Sequence, residues 1–209
     1  MKQFAVIMSR VVQIAKRIEQ AYSGPAFERT TAYAFAFVLL AVGLIEYSQG
    51  RLWWCPAGDW SLWSWHVMSQ HNSQHVIDAY SLTHVLHGMT EFFILAFLFP
   101  RVPLAWRLFA AVCIEGGWEI LENSSYVINR YREVTISLNY FGDSIVNSLS
   151  DISCCALGFM LARWLRFWRS AAVFVLTEIV LILTIHDSLT INVIQLLWPI
   201  DGVRTWQNS

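Results

Sequence analysis

The sequence predicts an all-α fold: a polytopic transmembrane helix bundle of five spans plus a short sixth hydrophobic segment. Three observations predict it. The 209 residues are 56% hydrophobic and only 14% charged, whereas soluble domains carry about 25% charged residues. The mean hydropathy is +0.45, and the apolar residues gather in runs near the roughly 20 residues a helix needs to cross a bilayer. Eleven of the residues are Trp, whose apolar ring and single N–H donor suit a membrane–water interface.

The elements follow in chain order. Residues 1–29 read as an amphipathic, basic helix on the cytoplasmic face. They do not form a signal peptide, because Arg10 breaks the apolar run and no small-residue cleavage site follows. Residues 30–209 read as a single membrane-embedded helical domain. The first span runs from Thr30 to Tyr47 and the second from Tyr80 to Phe99, closed by Pro100 and Pro103. The third runs from Leu104 to Asn123, the fourth from Asp143 to Trp164, and the fifth from Ser170 to Ile185. The apolar piece starting at Ile191 is short for a full crossing. It fits a tilted short helix, a re-entrant segment or an interfacial helix.

Positive charge sets the orientation. With five alternating spans, ten of the fourteen Lys and Arg residues fall on the side of the N-terminus. The N-terminus is therefore expected in the cytoplasm. Loops 48–79 and 124–142 then face outward, the first with Trp53, Trp54, Trp60, Trp63 and Trp65. A net charge of −1 offers no basic surface for nucleic acid. The four cysteines give no disulfide framework. Cys113, Cys154 and Cys155 lie in apolar runs, and Cys55 stands alone in the first outer loop.

The polar residues carry the functional expectation. His84 and His87, Glu119 and Glu122, Asp143, Ser144 and Asn147, and His186 and Asp187 fall at the outer ends of four spans. Glu91, Glu115, Asp151 and Glu178 form a deeper tier. His84, His87 and Glu91 follow i, i+3, i+7; Glu115, Glu119 and Glu122 follow i, i+4, i+7; Asp143, Asn147 and Asp151 follow i, i+4, i+8. Each set makes one stripe on its helix. A charge in hydrocarbon costs about 2.5–3.5 kcal/mol, so the stripes should face one another. Gly88, Gly116, Gly117 and Gly158 would permit close helix approach.

Within this set, His84 and His87 are the candidate metal ligands. Glu119, Glu122, Asp143 and Asn147 are the candidate catalytic residues, as ligands, general base or water-orienting groups. Ser144, Arg130 and Arg132 are the candidate substrate-binding residues, the arginines as forks for an anionic headgroup. A divalent metal and a metal-free acid–base site stand as equal alternatives. The implied reading is an intramembrane hydrolase or transferase acting on a lipid or lipid-linked substrate near the outer leaflet. The alternative is a non-enzymatic envelope binding or assembly protein whose polar residues only hold the helices together. His66, His71 and His75 read as plain loop histidines. The stretch Asn123-Ser124-Ser125 matches a glycosylation sequon but abuts the membrane and reads as a polar helix cap.

The strings SQHNSQHVIDAYSLTHVLHG, EGGWEILENSSYVINRYREVTISLNYFGDSIVNSLSD and IHDSLTINVIQLLWPI together resemble a family of proteobacterial multi-pass inner-membrane proteins of unknown function. The likeness runs from about Trp54 to the C-terminus. It implies a location in the bacterial cytoplasmic membrane and brings no activity, cofactor or catalytic residue with it.

Overall fold

The computed structural model describes residues 19–20, 22–135 and 140–207. Most of the amphipathic helix expected over residues 1–29 lies outside the described residues. From Arg29 onward the chain is mostly helical. The helices are α1 (Arg29–Ser48), α2 (Ser81–Leu98), α3 (Leu104–Glu122), α4 (Ser125–Val134), α5 (Ile145–Ile185), α6 (Leu189–Leu197) and α7 (Asp201–Gln207). Two short parallel strands, β1 (Trp63–Ser64) and β2 (Ile77–Asp78), pair between α1 and α2.

Three of these helices, α1, α2 and α5, are long and apolar enough to cross a membrane. The third expected span, α3, has the length but carries Arg107, Glu115, Glu119 and Glu122. The fourth and fifth expected spans join in α5, which is broken at Arg166 with φ 63° and ψ 178°. Both ends of α5 meet the start of α2. Ser81 Oγ donates to Asp151 near one end, and Tyr80 OH donates to Asp187 just past the other. A straight helix of 41 residues would span about 60 Å, so α5 folds back on itself at Arg166.

One departure from the sequence reading is α4. The segment after Asn123 reads as a loop, yet Ser124 accepts a hydrogen bond from the Val127 N–H and starts a helix of ten residues. That side chain satisfies one of the donors every helix leaves unpaired at its start. The stretch Asn123-Ser124-Ser125 does cap helices, with Ser124 as the residue that starts α4. Arg130 and Arg132 therefore stand on a helix and not in an open loop.

The core lies between α2, α3 and α5. Leu86, Met89, Phe92 and Leu95 form the inner face of α2, at helical spacing. They meet Leu104, Leu108, Ala111 and Val112 of α3, and Ile152, Phe159 and Ala162 of α5. The helices α2 and α5 touch backbone to backbone. A Cβ on Gly88 would lie 1.8 Å from the Cys155 carbonyl oxygen, and one on Gly158 would lie 1.9 Å from that of Val85. Gly116 faces Val42 and Val38, whereas Gly117 has nothing within 4 Å.

The surface of the bundle is apolar and much of its interior is polar. Tyr33, Phe37, Leu40, Leu44, Leu157, Trp164, Leu176 and Leu183 are exposed. Glu46, His75, Asp78, Glu115, Glu119, Asn123, Asn147 and Asp151 are buried.

Asp187, in the turn between α5 and α6, shows the effect of such burial. It accepts hydrogen bonds from Tyr80 OH at 3.0 Å and Asn192 Nδ2 at 3.4 Å. Burial nevertheless outweighs these donors and raises its carboxyl to about 6. The folded state therefore holds a proton more tightly than the unfolded chain. The stabilisation from that proton is fully present below the ordinary value near 3.8 and is lost as pH rises to about 6. Melting curves should show that Asp187→Asn removes this part of the pH dependence. The variant gains on the wild-type protein from pH 4 to 7, with the difference levelling off above about 6.

Candidate functional site

The site begins where α2 begins. Asp78 Oδ1 accepts from the Ser81 N–H at 2.9 Å, and Ser81 Oγ accepts from the Asp78 N–H at 3.2 Å. This reciprocal turn fixes the first residues of α2 and so the direction of His84 and His87, one turn apart on one face. Burial raises the Asp78 carboxyl above its ordinary value, against the pull of these donors.

From α3, Glu115 reaches both histidines. Its carboxylate contacts His84 Nδ1, and His87 Nδ1 lies 3.1 Å from each of its oxygens. His84 Nδ1 is also 3.4 Å from Glu119 Oε1, and His84 Nε2 is 3.7 Å from Asp151 Oδ2 on α5. One imidazole thus stands among three carboxylates from two helices. The two tiers inferred from the sequence merge here. Counting residues along each helix placed Glu115 and Asp151 below His84, and packing brings them level with it.

His84, His87, Glu115 and Asp151 line a cavity of about 420 Å³. His84, His87, Glu91, Glu115, Glu122, Asp143 and Asp151 supply its titratable lining, with Tyr80, Tyr131 and Tyr140 as neutral donors. Burial, and next the Glu122 carboxylate, raise the Tyr131 phenol well above its ordinary value. It stays a hydroxyl at neutral pH. On another side the lining is Ile114 and Trp118 of α3 with Leu189, Val193 and Leu196 of α6. Ile114 and Val193 are also exposed on the outside of the molecule, so this apolar edge is the mouth.

Glu119 lies behind the lining. It is fully buried, and neither of its carboxylate oxygens has a hydrogen-bond partner among the described residues. Buried polar atoms almost always have hydrogen-bond partners, so a carboxylate with only the His84 ring 3.4 Å away has room for a proton or a cation. Ligand atoms of His84, His87 and Glu115 lie within 4.8 Å of one another, as do those of His84, Glu119 and Glu122. Either trio suits a divalent ion with an open position toward the cavity.

The other expected site residues have different surroundings. Asp143 lines the cavity, accepting from Tyr140 OH at 2.8 Å and Asn123 Nδ2 at 3.2 Å. Asn147 stands one layer back, with Nδ2 donating to the His75 carbonyl at 2.9 Å. Ser144 caps α5 by accepting from the Asn147 N–H, and donates to the Gln74 carbonyl at 3.2 Å. Both residues hold the roof formed by segment 72–78. Arg130 donates to the Leu196 carbonyl, and Arg132 donates to that of Tyr140. Neither arginine is among the lining residues. His186 stacks on Trp206 with ring centroids 5.4 Å apart, away from the cavity.

Two kinds of residue escaped the sequence reading. Glu115 and Asp151 were visible as members of their stripes but were set too deep. Tyr131 and Tyr140 had no periodic signal, because α4 and the turn after it reach the cavity only through the fold.

Residues 46–209 match the family described as "Protein of unknown function (DUF2585)". The chain belongs to this family. Among its relatives is a UPF0314 protein of Paracoccus denitrificans, 46% identical over 183 residues, covering 87% of this chain and 95% of the relative. A second, from Brucella anthropi, is 40% identical over 178 residues, covering 83% and 90%. A third, UPF0314 protein R03235 of Rhizobium meliloti, is 43% identical over 170 residues, covering 81% and 86%. No solved structure matches the fold. The matched span contains all the residues of the cavity, and α1 enters it only at Glu46.

Proposed function

We propose that the chain is a five-span inner-membrane protein with its N-terminus in the cytoplasm, and that its cavity is an intramembrane hydrolase or transferase site near the outer leaflet. The apolar exterior supports the membrane reading. Only 22% of the α1 window and 17% of the α5 window are buried, so most of their apolar surface needs lipid to leave water. The distribution of Lys and Arg supports the orientation. The observation that carries the catalytic reading is the fully buried Glu119 just behind the cavity lining, 3.4 Å from His84 Nδ1, whose oxygens have no hydrogen-bond partner among the described residues. A purely structural network would satisfy that carboxylate.

In this reading His84 with Glu119 and Glu122, or with His87 and Glu115, holds a divalent cation. The ion would lower the pKa of a bound water. Asp151, 3.7 Å from His84 Nε2 and accepting from Ser81, orients the ring. Asp143 with its Tyr140 partner faces the same space and can take a proton from the attacking water. Through the apolar mouth between α3 and α6 a substrate's chains can stay in lipid while its headgroup enters. The substrate class is therefore a lipid or a lipid-linked group.

The test separates catalysis from folding. In a strain lacking the protein, the near-isosteric Glu119→Gln and Glu122→Gln should accumulate to wild-type levels and melt normally, yet leave the envelope lipid profile as in the deletion strain. Restoration of the wild-type lipid profile by both variants would overturn the catalytic reading. So would a loss of abundance that accounts for the whole effect, which is what the assembly-protein alternative requires.

A further inference from the structure

A second cluster of ligand-type side chains lies outside the cavity, in the segment between α1 and α2. Trp54 and Trp60 stack with ring centroids 5.7 Å apart, and Trp54 Nε1 donates to the Asp59 carbonyl at 2.7 Å. Between them the chain turns tightly. The Gly58 N–H donates to the Cys55 carbonyl, and Gly58 has φ +77°, a conformation glycine adopts without strain. The turn sets Cys55 and Asp59 beside His71 and His75.

The ligand atoms converge. Cys55 Sγ lies 3.5 Å from His71 Nδ1, and His71 Nδ1 lies 3.3 Å from His75 Nε2. Asp59 Oδ2 is 3.8 Å from His71 Nδ1 and 3.9 Å from His75 Nε2. Around a tetrahedral zinc, with Zn–S about 2.3 Å and Zn–N about 2.0–2.1 Å, the edges would be about 3.5 Å for S···N and about 3.3–3.4 Å for N···N. The Cys55–His71 and His71–His75 distances already match those edges, and Cys55 Sγ and the His75 ligand atom lie within 4.8 Å of each other. Asp59, half exposed on a turn, stands 3.8 and 3.9 Å from the two imidazoles but outside the 4.8 Å circle that holds the other three ligand atoms, so it completes the set only by swinging inward.

A further contact fixes the tautomer. His75 Nδ1 lies 2.7 Å from the Ser61 carbonyl oxygen. A carbonyl only accepts, so Nδ1 carries the proton and the Nε2 lone pair faces the cluster. This is the partner arrangement usual for a metal-bound histidine. His75 and Cys55 are both buried, and one thiolate, two imidazoles and one carboxylate make a closed four-ligand set that suits zinc.

We propose that Cys55, Asp59, His71 and His75 bind a structural zinc ion that clamps this segment over the cavity. Asn72 and Ser73, between the two histidines, line the cavity. Ser73 has φ +58°, a left-handed conformation that strains a non-glycine residue. The carbonyls of Ser73, Gln74 and His75 accept from Ser144 N, Ser144 Oγ and Asn147 Nδ2. Fixing His71 and His75 on a metal therefore holds the roof in register with the start of α5.

Cobalt substitution tests this in the full chain purified in detergent. Cobalt(II) should give a thiolate-to-metal charge-transfer band with tetrahedral visible bands. The band should vanish in Cys55→Ser and persist in His84→Ala and Cys155→Ser, which separates this site from the cavity. Zinc content should fall by about one ion per chain in Cys55→Ser. If that variant does not accumulate, the wild-type protein suffices, because maleimide should label Cys55 only after zinc is removed by a chelator. Absence of the band in the wild-type protein, its survival in Cys55→Ser, or equal labelling with and without chelator would overturn the proposal in favour of a metal-free hydrogen-bonded cluster.

Discussion

Gly158→Ala should yield a protein that melts about 5–10 °C lower in detergent and accumulates poorly, while Gly117→Ala should not. The added methyl at position 158 would sit 1.9 Å from the Val85 carbonyl oxygen. Ordinary contact begins near 3.4 Å, so α2 and α5 must separate by about 1.5 Å. Neither side can yield by a rotamer change, because the obstacle is backbone. Overpacking of this kind costs about 1–3 kcal/mol, occasionally more, and about 2–4 °C per kcal/mol is expected at this size. Separation also loosens the Phe92–Phe159 contact, with centroids 5.0 Å apart, and the Ser81–Asp151 hydrogen bond across the same interface. Gly88→Ala should behave alike, since its Cβ would meet the Cys155 carbonyl at 1.8 Å. At Gly117 nothing lies within 4 Å, so alanine there should be neutral or stabilising by up to about 1 kcal/mol through helix propensity. Thermal melts of the three variants decide it. Equal melting of Gly158→Ala and wild type would mean that the helices do not touch as described.

Asn123→Ala should be nearly as damaging, by a different route. Asn123 closes α3 and is 2% exposed. Its Nδ2 lies within 3.3 Å of Glu46 Oε1, Asp143 Oδ2, Ser148 Oγ and the Glu119 carbonyl. Its Oδ1 accepts from the Asp143 N–H at 2.7 Å. One side chain thus ties α1, α3 and the start of α5 together. Alanine leaves a buried backbone donor and two buried carboxylates short of a partner, at about 1–3 kcal/mol for each unsatisfied group. A loss of about 3 kcal/mol or more is expected, with a matching fall in abundance. Asn123→Asp keeps the shape but replaces the donor with another acceptor, and should be worse still. The contrast with Glu119→Gln is informative, because the proposed catalytic carboxylate should be removable without loss of folded protein.

The helices themselves were legible in the sequence because two periodicities coincide in it. Apolar runs of bilayer length marked α1, α2, α3 and the two arms of α5 within a few residues. Polar side chains at i, i+3, i+4 and i+7 marked the faces that turn inward. His84, His87, Glu122 and Asp143 could be singled out on that basis, and all four line the cavity. The same stripes contained Glu115 and Asp151, but spacing reports facing and only approximate depth. Helix tilt and the close α2–α5 contact at Gly88 and Gly158 set which carboxylate meets which imidazole. Arg130 and Arg132 illustrate the converse. Their charge suggested an anion clamp, yet α4 directs both toward backbone carbonyls.

By itself, then, the sequence determined that this chain is helical, with helices long and apolar enough to cross a membrane and titratable residues on their inward faces. It did so because the energy of burying apolar and polar groups depends on residue type and helical period alone. The tertiary structure decided the rest. It joined the last two long helical segments into one hairpin, built a helix into an expected loop, and gathered groups far apart in the chain around one cavity. It also placed Cys55, read as solitary, against His71 and His75. A turn through Gly58 and a pair of stacked tryptophans create that meeting, and no local pattern of residues encodes it.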